Sequence, residues 1–153
     1  MKQAKIKNYF IFFLLVYLPL SCEDHVTSSI PEYPVFLDLN LATTYPTFRN
    51  STNQTLVFKT RDNLPEVSRI GYGGLLICTD YVGDYYAYDL CCPYELKANI
   101  RVHPDGVGQA ICDSCKSVFN IFTAPGNPVS GKSKEFLKRY KANLNGDVLR
   151  ISR

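Results

Sequence analysis

The chain has no tryptophan, a single methionine and only two histidines, His25 and His103. So little imidazole leaves no Ser–His or Cys–His pairing of the kind that makes a nucleophile, and no paired carboxylates stand in a Gly-rich setting. Gly131-Lys-Ser133 lacks the upstream glycine and preceding strand of a phosphate loop. An excess of basic charge is also missing. Of the 17 Lys and Arg, Lys2, Lys5 and Lys7 precede Cys22, whereas all 14 acids follow it, so the rest of the chain is balanced at 14 of each sign. That balance offers no footprint for nucleic acid. No apolar run is long enough to span a bilayer comfortably, and there is no internal repeat. These absences argue against an enzyme.

What is present begins with an address. Lys2, Lys5 and Lys7 give a basic start, Tyr9–Leu20 is a short apolar run, and Leu20-Ser-Cys22 closes it. This arrangement resembles a bacterial lipoprotein signal over residues 1–21, in which case Cys22 is the lipidated residue. An ordinary secretory peptide with Cys22 in a disulfide is the alternative. Glu23-Asp24 resembles the acidic tag that directs some lipoproteins to the outer face. Residues 22–34 are polar and carry Pro31 and Pro34, which reads as a lipidated tether, with His25 a solvated member of it. The resulting expectation is export and lipid anchoring in the bacterial cell envelope, at the outer membrane. The partners expected are the membrane and an envelope protein, with no nucleic acid.

Residues 35–153 read as one β domain. Short β-branched and aromatic runs recur at 35–39, 55–58, 75–78, 85–88, 99–102, 109–111, 118–122 and 147–151, punctuated by Gly, Pro and Asn. With about 120 residues the domain buries one core. Ser130–Lys141 has Phe136, Leu137 and Tyr140 at helical spacing. A turn at 132–136 followed by a strand at 137–144 satisfies the same residues, and Asn145-Gly146 supplies a hairpin turn. In the tyrosine group Tyr81, Tyr85, Tyr86 and Tyr88, alternation puts Tyr86 and Tyr88 on one face and Tyr85 on the other. The fold class expected is all-β, an antiparallel sandwich or barrel of short strands.

The chemistry lies in the cysteines. Of the six, Cys91, Cys92, Cys112 and Cys115 form two clusters either side of a Gly-containing segment. Two such loops can hold a metal, hold an iron–sulfur cluster or close a disulfide. Zinc would take Cys91, Cys92, Cys112 and Cys115, or three of these sulfurs with His103, although His103 precedes Pro104-Asp-Gly106 and reads as an exposed turn residue. Adjacent Cys91 and Cys92 point to opposite faces if the backbone there is extended. Exported thiols tend to oxidise. A bridge from Cys92 to Cys112 or Cys115, closing about twenty residues, would contribute roughly 3 kcal/mol. Cys78, inside an apolar run, reads as a buried small hydrophobe.

The order of motifs from Gly73 to Ile151 resembles the Rieske iron–sulfur domain. Cys92-Pro-Tyr94 stands where that family has Cys-x-His, and Cys112-Asp-Ser-Cys115 where it has Cys-x-x-His. Ala87-Tyr-Asp89, Ser117, Phe119, Gly126-Asn-Pro128, Gly131, Leu137 and Tyr140 follow in the family's order. The resemblance implies a Rieske-like β fold with loops carrying Cys92, Tyr94, Cys112 and Cys115 at one end. Both ligand histidines are replaced. Neutral imidazoles are what raise a Rieske potential into the range of about −150 to +300 mV. The expectation is therefore a non-catalytic binding or structural module with a degenerate site, bridged and without cofactor. An electron carrier with an altered 2Fe–2S centre, or a zinc site in its place, are the alternatives.

Overall fold

The computed structural model describes residues 28–123 and 126–153. The signal expected over residues 1–21, the lipidation expected at Cys22, and His25 lie outside the described residues. Among the described residues there is no helix and the fold is all-β. Eleven strands follow in order: β1 Val35–Asn40, β2 Thr55–Phe58, β3 Arg69–Ile70, β4 Leu75–Thr79, β5 Tyr85–Asp89, β6 Val102–Pro104, β7 Gln109–Cys112, β8 Val118–Asn120, β9 Pro128–Ser130, β10 Arg139–Asn145 and β11 Val148–Ser152. Seven of them form a nearly closed antiparallel barrel-like sheet in the order β2-β4-β5-β10-β11-β1-β3. The other four form a second sheet, β6-β7-β8-β9.

Two cores follow from that layering. β1 alternates buried and less buried residues, and Val35, Leu37 and Leu39 meet Leu75, Ile77, Ala87, Tyr140, Leu149 and Ile151 on the concave side of the large sheet. β4 is buried along its whole length because both of its faces are covered. Leu75 and Ile77 look into the first core, whereas Leu76 and Cys78 look into a second one shared with the small sheet. The tyrosines of β5 divide as alternation requires, with Tyr86 and Tyr88 on the second core and Tyr85 on the first. Cys78 is fully buried, with its Sγ 3.2 Å from the Ile121 carbonyl oxygen.

Several boundaries differ from the sequence reading. The strand expected at 99–102 forms instead over Val102–Pro104, because a turn closed by Ile100 N–H to Lys97 O (2.9 Å) takes up the preceding residues. The strand expected from 137 starts at Arg139. Leu137 N–H bonds the Gly126 carbonyl (2.9 Å), and Leu137 and Tyr140 are buried in different cores, which no helix face could satisfy. The final hairpin turns on Gly146 and Asp147, one residue later than expected. β3 and β9, of two and three residues, are too short to carry a period.

The described part of the segment expected to be a tether, from Ser28, packs onto the domain. Ile30 is buried, and the largely buried Lys138 Nζ donates to the carbonyls of Ile30 (2.9 Å) and Pro31 (3.3 Å) and to Glu32 Oε1 (2.6 Å). Ser29 donates its N–H and hydroxyl to the Glu135 carboxylate at 2.7 and 2.8 Å.

A candidate thiolate metal site

The two cysteine loops are built alike. In the first, Cys92-Pro-Tyr-Glu-Leu96, the Leu96 N–H returns to the Cys92 carbonyl at 3.0 Å; in the second, Cys112-Asp-Ser-Cys-Lys116, the Lys116 N–H returns to the Cys112 carbonyl at 2.9 Å. Each loop ends in a left-handed residue, Leu96 at φ 54° and Lys116 at φ 59°. Neither residue type favours that region, so both loops hold the conformation because their surroundings enforce it.

Those surroundings are specific. Behind the first loop lies the fully buried Asp89 carboxylate. It accepts the N–H groups of Tyr72, Gly73 and Cys91, each at 2.8 Å, and the Tyr140 hydroxyl at 2.7 Å. A Cβ at Gly73 would run into the backbone of Cys91, so only glycine lets this turn approach. Behind the second loop, Gly131, at φ 91°, lies against Lys116 O and the backbone of Ser117 with equally little room. Ser133 N–H donates to Ser117 Oγ at 2.8 Å, and Ser117 Oγ in turn lies 3.0 Å from Cys115 Sγ.

The loops bring Cys92, Cys112 and Cys115 together. Their Sγ atoms all lie within 4.8 Å of one another, and all three residues are buried. Cys92 and Cys115 Sγ are 3.5 Å apart, with all five described cysteines free thiols. The expected bridge from Cys92 to Cys112 or Cys115 is therefore not formed: a disulfide requires about 2.05 Å. Three buried sulfurs at this separation could bind a metal ion. Four-coordinate zinc, with Zn–S near 2.3 Å, spaces its sulfurs about 3.8 Å apart.

The remaining sequence candidates point elsewhere. Cys91 is buried but aims its Sγ at the carbonyls of Cys92 (3.5 Å) and Lys97 (3.4 Å), as expected for the neighbour of Cys92 on an extended backbone. Tyr94 is 51% exposed, with the Lys132 ammonium 5.8 Å from its ring centre. His103 faces Asp113, its Nε2 3.3 Å from the carboxylate, and both side chains are exposed. Sequence reasoning passed over Ser117 and Ser133 as supports, and over Glu95, whose Oε1 accepts the Ser114 hydroxyl at 2.6 Å and so ties the first loop to the second. The signal for Glu95 was the spacing Cys-x-x-Glu at 92–95, an echo of Cys-x-x-Cys at 112–115.

The thiols differ in acidity. Burial raises Cys92 well above the ordinary thiol value near 9, against the pull of the Glu95 and Tyr94 N–H groups. At Cys115 burial also pushes upward, but hydrogen bonds from the Ser117 hydroxyl and N–H, and from Cys92 and Cys112, outweigh it and the thiol is lowered. Burial, with the Asp89 and Cys112 charges behind it, takes Cys91 up to about 12, which suits an inert thiol.

No family model matches the chain, and no curated protein matches it.

Proposed function

We propose that this chain is a lipid-anchored protein of the cell envelope. Its Rieske-like β domain acts as a non-catalytic binding or structural module, stapled at one end by a zinc-type ion on Cys92, Cys112 and Cys115. The observation that carries the metal reading is the convergence of three buried sulfurs within 4.8 Å of one another. The anchor rests on the basic start, short apolar run and Leu20-Ser-Cys22 of the sequence, and the absence of a basic excess leaves a protein or the membrane as partner.

The donor set suits one ion better than a Rieske cluster. A two-iron centre divides its protein ligands between two irons, so one of any three sulfurs must stand across the width of the cluster from the others. Here all three crowd around one point, and among the described residues no imidazole joins them. Soft thiolates in a tetrahedral setting favour zinc among the common ions. The electron-carrier reading retains one supporting feature, the hydrogen bond between Ser117 and Cys115 in a loop that resembles the family's second one.

The test is elemental analysis with a visible spectrum on the whole chain purified without air. About one zinc per chain and no colour is the expected result, as for a closed structural site. Iron with matching inorganic sulfide and a visible chromophore would replace the proposal with the electron carrier. No metal at all would leave a bare β platform. Mass spectrometry of the same preparation should find acyl chains on an N-terminal Cys22, and an unmodified N-terminus elsewhere would remove the anchor.

A further inference from the structure

Three sulfurs leave a four-coordinate ion one donor short, and the likeness of the two loops points to where that donor is. Cys92-Pro-Tyr-Glu95-Leu96 and Cys112-Asp-Ser-Cys115-Lys116 share their closing hydrogen bond and their left-handed fifth residue. Laid on one another, they match Cys92 with Cys112 and Glu95 with Cys115. The first loop thus carries a carboxylate at the position from which the second sends its second sulfur.

We propose that Glu95 is the fourth ligand of the metal site, making a donor set of three sulfurs and one oxygen for zinc. The proposal rests on the metal reading above. The carboxylate, on a half-buried residue, already crosses to the opposite loop, where Oε1 accepts the hydroxyl of Ser114, the residue next to Cys115. The Glu95 carboxylate lies outside the group of ligand atoms within 4.8 Å of one another; on ligation one oxygen would turn to the ion, at the 2.0–2.2 Å usual for zinc, while the other keeps Ser114. Such a bond from outside the ligand set is what ordinarily orients a metal-bound carboxylate. The competing donors are directed elsewhere: Cys91 to backbone carbonyls, His103 to Asp113, and Tyr94 to solvent and Lys132. As the ion enters, the thiols release their protons to solvent.

The test uses the whole chain in detergent, reduced and stripped of metal, titrated with Co²⁺ and then back-titrated with Zn²⁺. The wild type should show sulfur-to-cobalt charge transfer for three thiolates and the visible bands of a tetrahedral ion. Glu95→Ala should weaken Zn²⁺ binding by more than about tenfold, since even changes outside the ligand set reach 10–100-fold. Tyr94→Phe and Cys91→Ser should bind within about threefold of wild type, whereas Ser114→Ala, which removes the bond that orients the carboxylate, should weaken binding toward the outer-shell range of about tenfold. Glu95→Cys, which makes the two loops identical in ligand pattern, should raise the charge-transfer absorbance by about one third, from three thiolates to four. Absorbance unchanged in Glu95→Cys, or Glu95→Ala binding as wild type while Tyr94→Phe or Cys91→Ser fails, would overturn Glu95 and keep the metal site. No uptake of Co²⁺ or Zn²⁺ by the wild type would overturn the metal reading itself.

Discussion

Replacing Tyr140 with Phe isolates the hydrogen bond that ties β10 to the Asp89 carboxylate behind the first cysteine loop. The Tyr140 hydroxyl lies 2.7 Å from Asp89 Oδ2, and both residues are buried. Burial, together with the Asp89 charge, raises the phenol far above its ordinary value, so it donates at any working pH. Phe fills the same space without the oxygen, so no cavity term enters and the loss is that of one bond to a carboxylate. Such bonds contribute about 1.5–3 kcal/mol. Asp89 retains its three backbone N–H donors, so the carboxylate is weakened in its support and not abandoned. For a domain of this size the loss corresponds to a fall in Tm of roughly 5–15 °C. Urea unfolding of the whole chain, at fixed metal content, should give that loss with an unchanged slope. Tyr85→Phe is the comparison: its hydroxyl meets the neutral Phe48 carbonyl at 3.4 Å and should cost no more than about 1 kcal/mol. A loss below about 0.5 kcal/mol for Tyr140→Phe, or equal losses for the two variants, would refute the view that the Asp89 carboxylate is the hub behind the first loop.

Alkaline pH should destabilise the metal-free protein through Cys78, which burial, reinforced by Asp80, takes from about 9 to about 12. A raised folded value means the stability is fully present below pH 9 and is lost as pH climbs toward 12, with a slope approaching 1.4 kcal/mol per pH unit for one proton. Cys78→Ala should flatten the curve by about one proton over that range, and a curve of unchanged slope would count against it. Chelation should lower unfolding stability by about 2–5 kcal/mol, the scale of a cross-link over some twenty residues, while the far-ultraviolet signature of the sheets remains. Loss of that signature on chelation alone at 25 °C would make the ion a folding requirement.

What was legible in the sequence was whatever a local pattern determines. The fold class was, because alternation in Val35–Leu39 and Tyr85–Tyr88 corresponds to two covered faces. The convergence of Cys92 with Cys112 and Cys115 was expected from the family resemblance, and the divergence of Cys91 from the period of an extended strand. Asp89 was legible only as a family marker. Its partners come from residues 72, 73, 91 and 140, and no one-dimensional pattern brings a turn's N–H groups and a distant phenol to one carboxylate. The oxidised state was misjudged for a related reason. Compartment argues for a bridge, but the backs of the two loops, fixed by Gly73 and Gly131, set the sulfurs at ligand spacing. The packing of the tether was hidden because Ser28–Pro34 is polar and Pro-rich, and what captures it is a lysine more than a hundred residues away.

The position of the sulfurs between the two sheets determines what an ion there would do. Cys92 leaves the barrel just after β5, while Cys112 ends β7 and Cys115 lies in the turn between β7 and β8 of the small sheet. An ion on all three joins the sheets at their shared end. The sheets do not depend on it to meet, because Leu76, Tyr88, Leu90, Phe119, Ile121 and Leu137 already fill the space between them. Full burial of one such side chain contributes about 1.5–3 kcal/mol, so the apolar contacts together outweigh a single cross-link. An ion there would be a staple on a domain that packs by itself, unlike the small zinc modules that are unfolded without metal. That ordering explains why the loops keep their shape through backbone contacts, Asp89 and Ser117, and present three sulfurs already at ligand spacing.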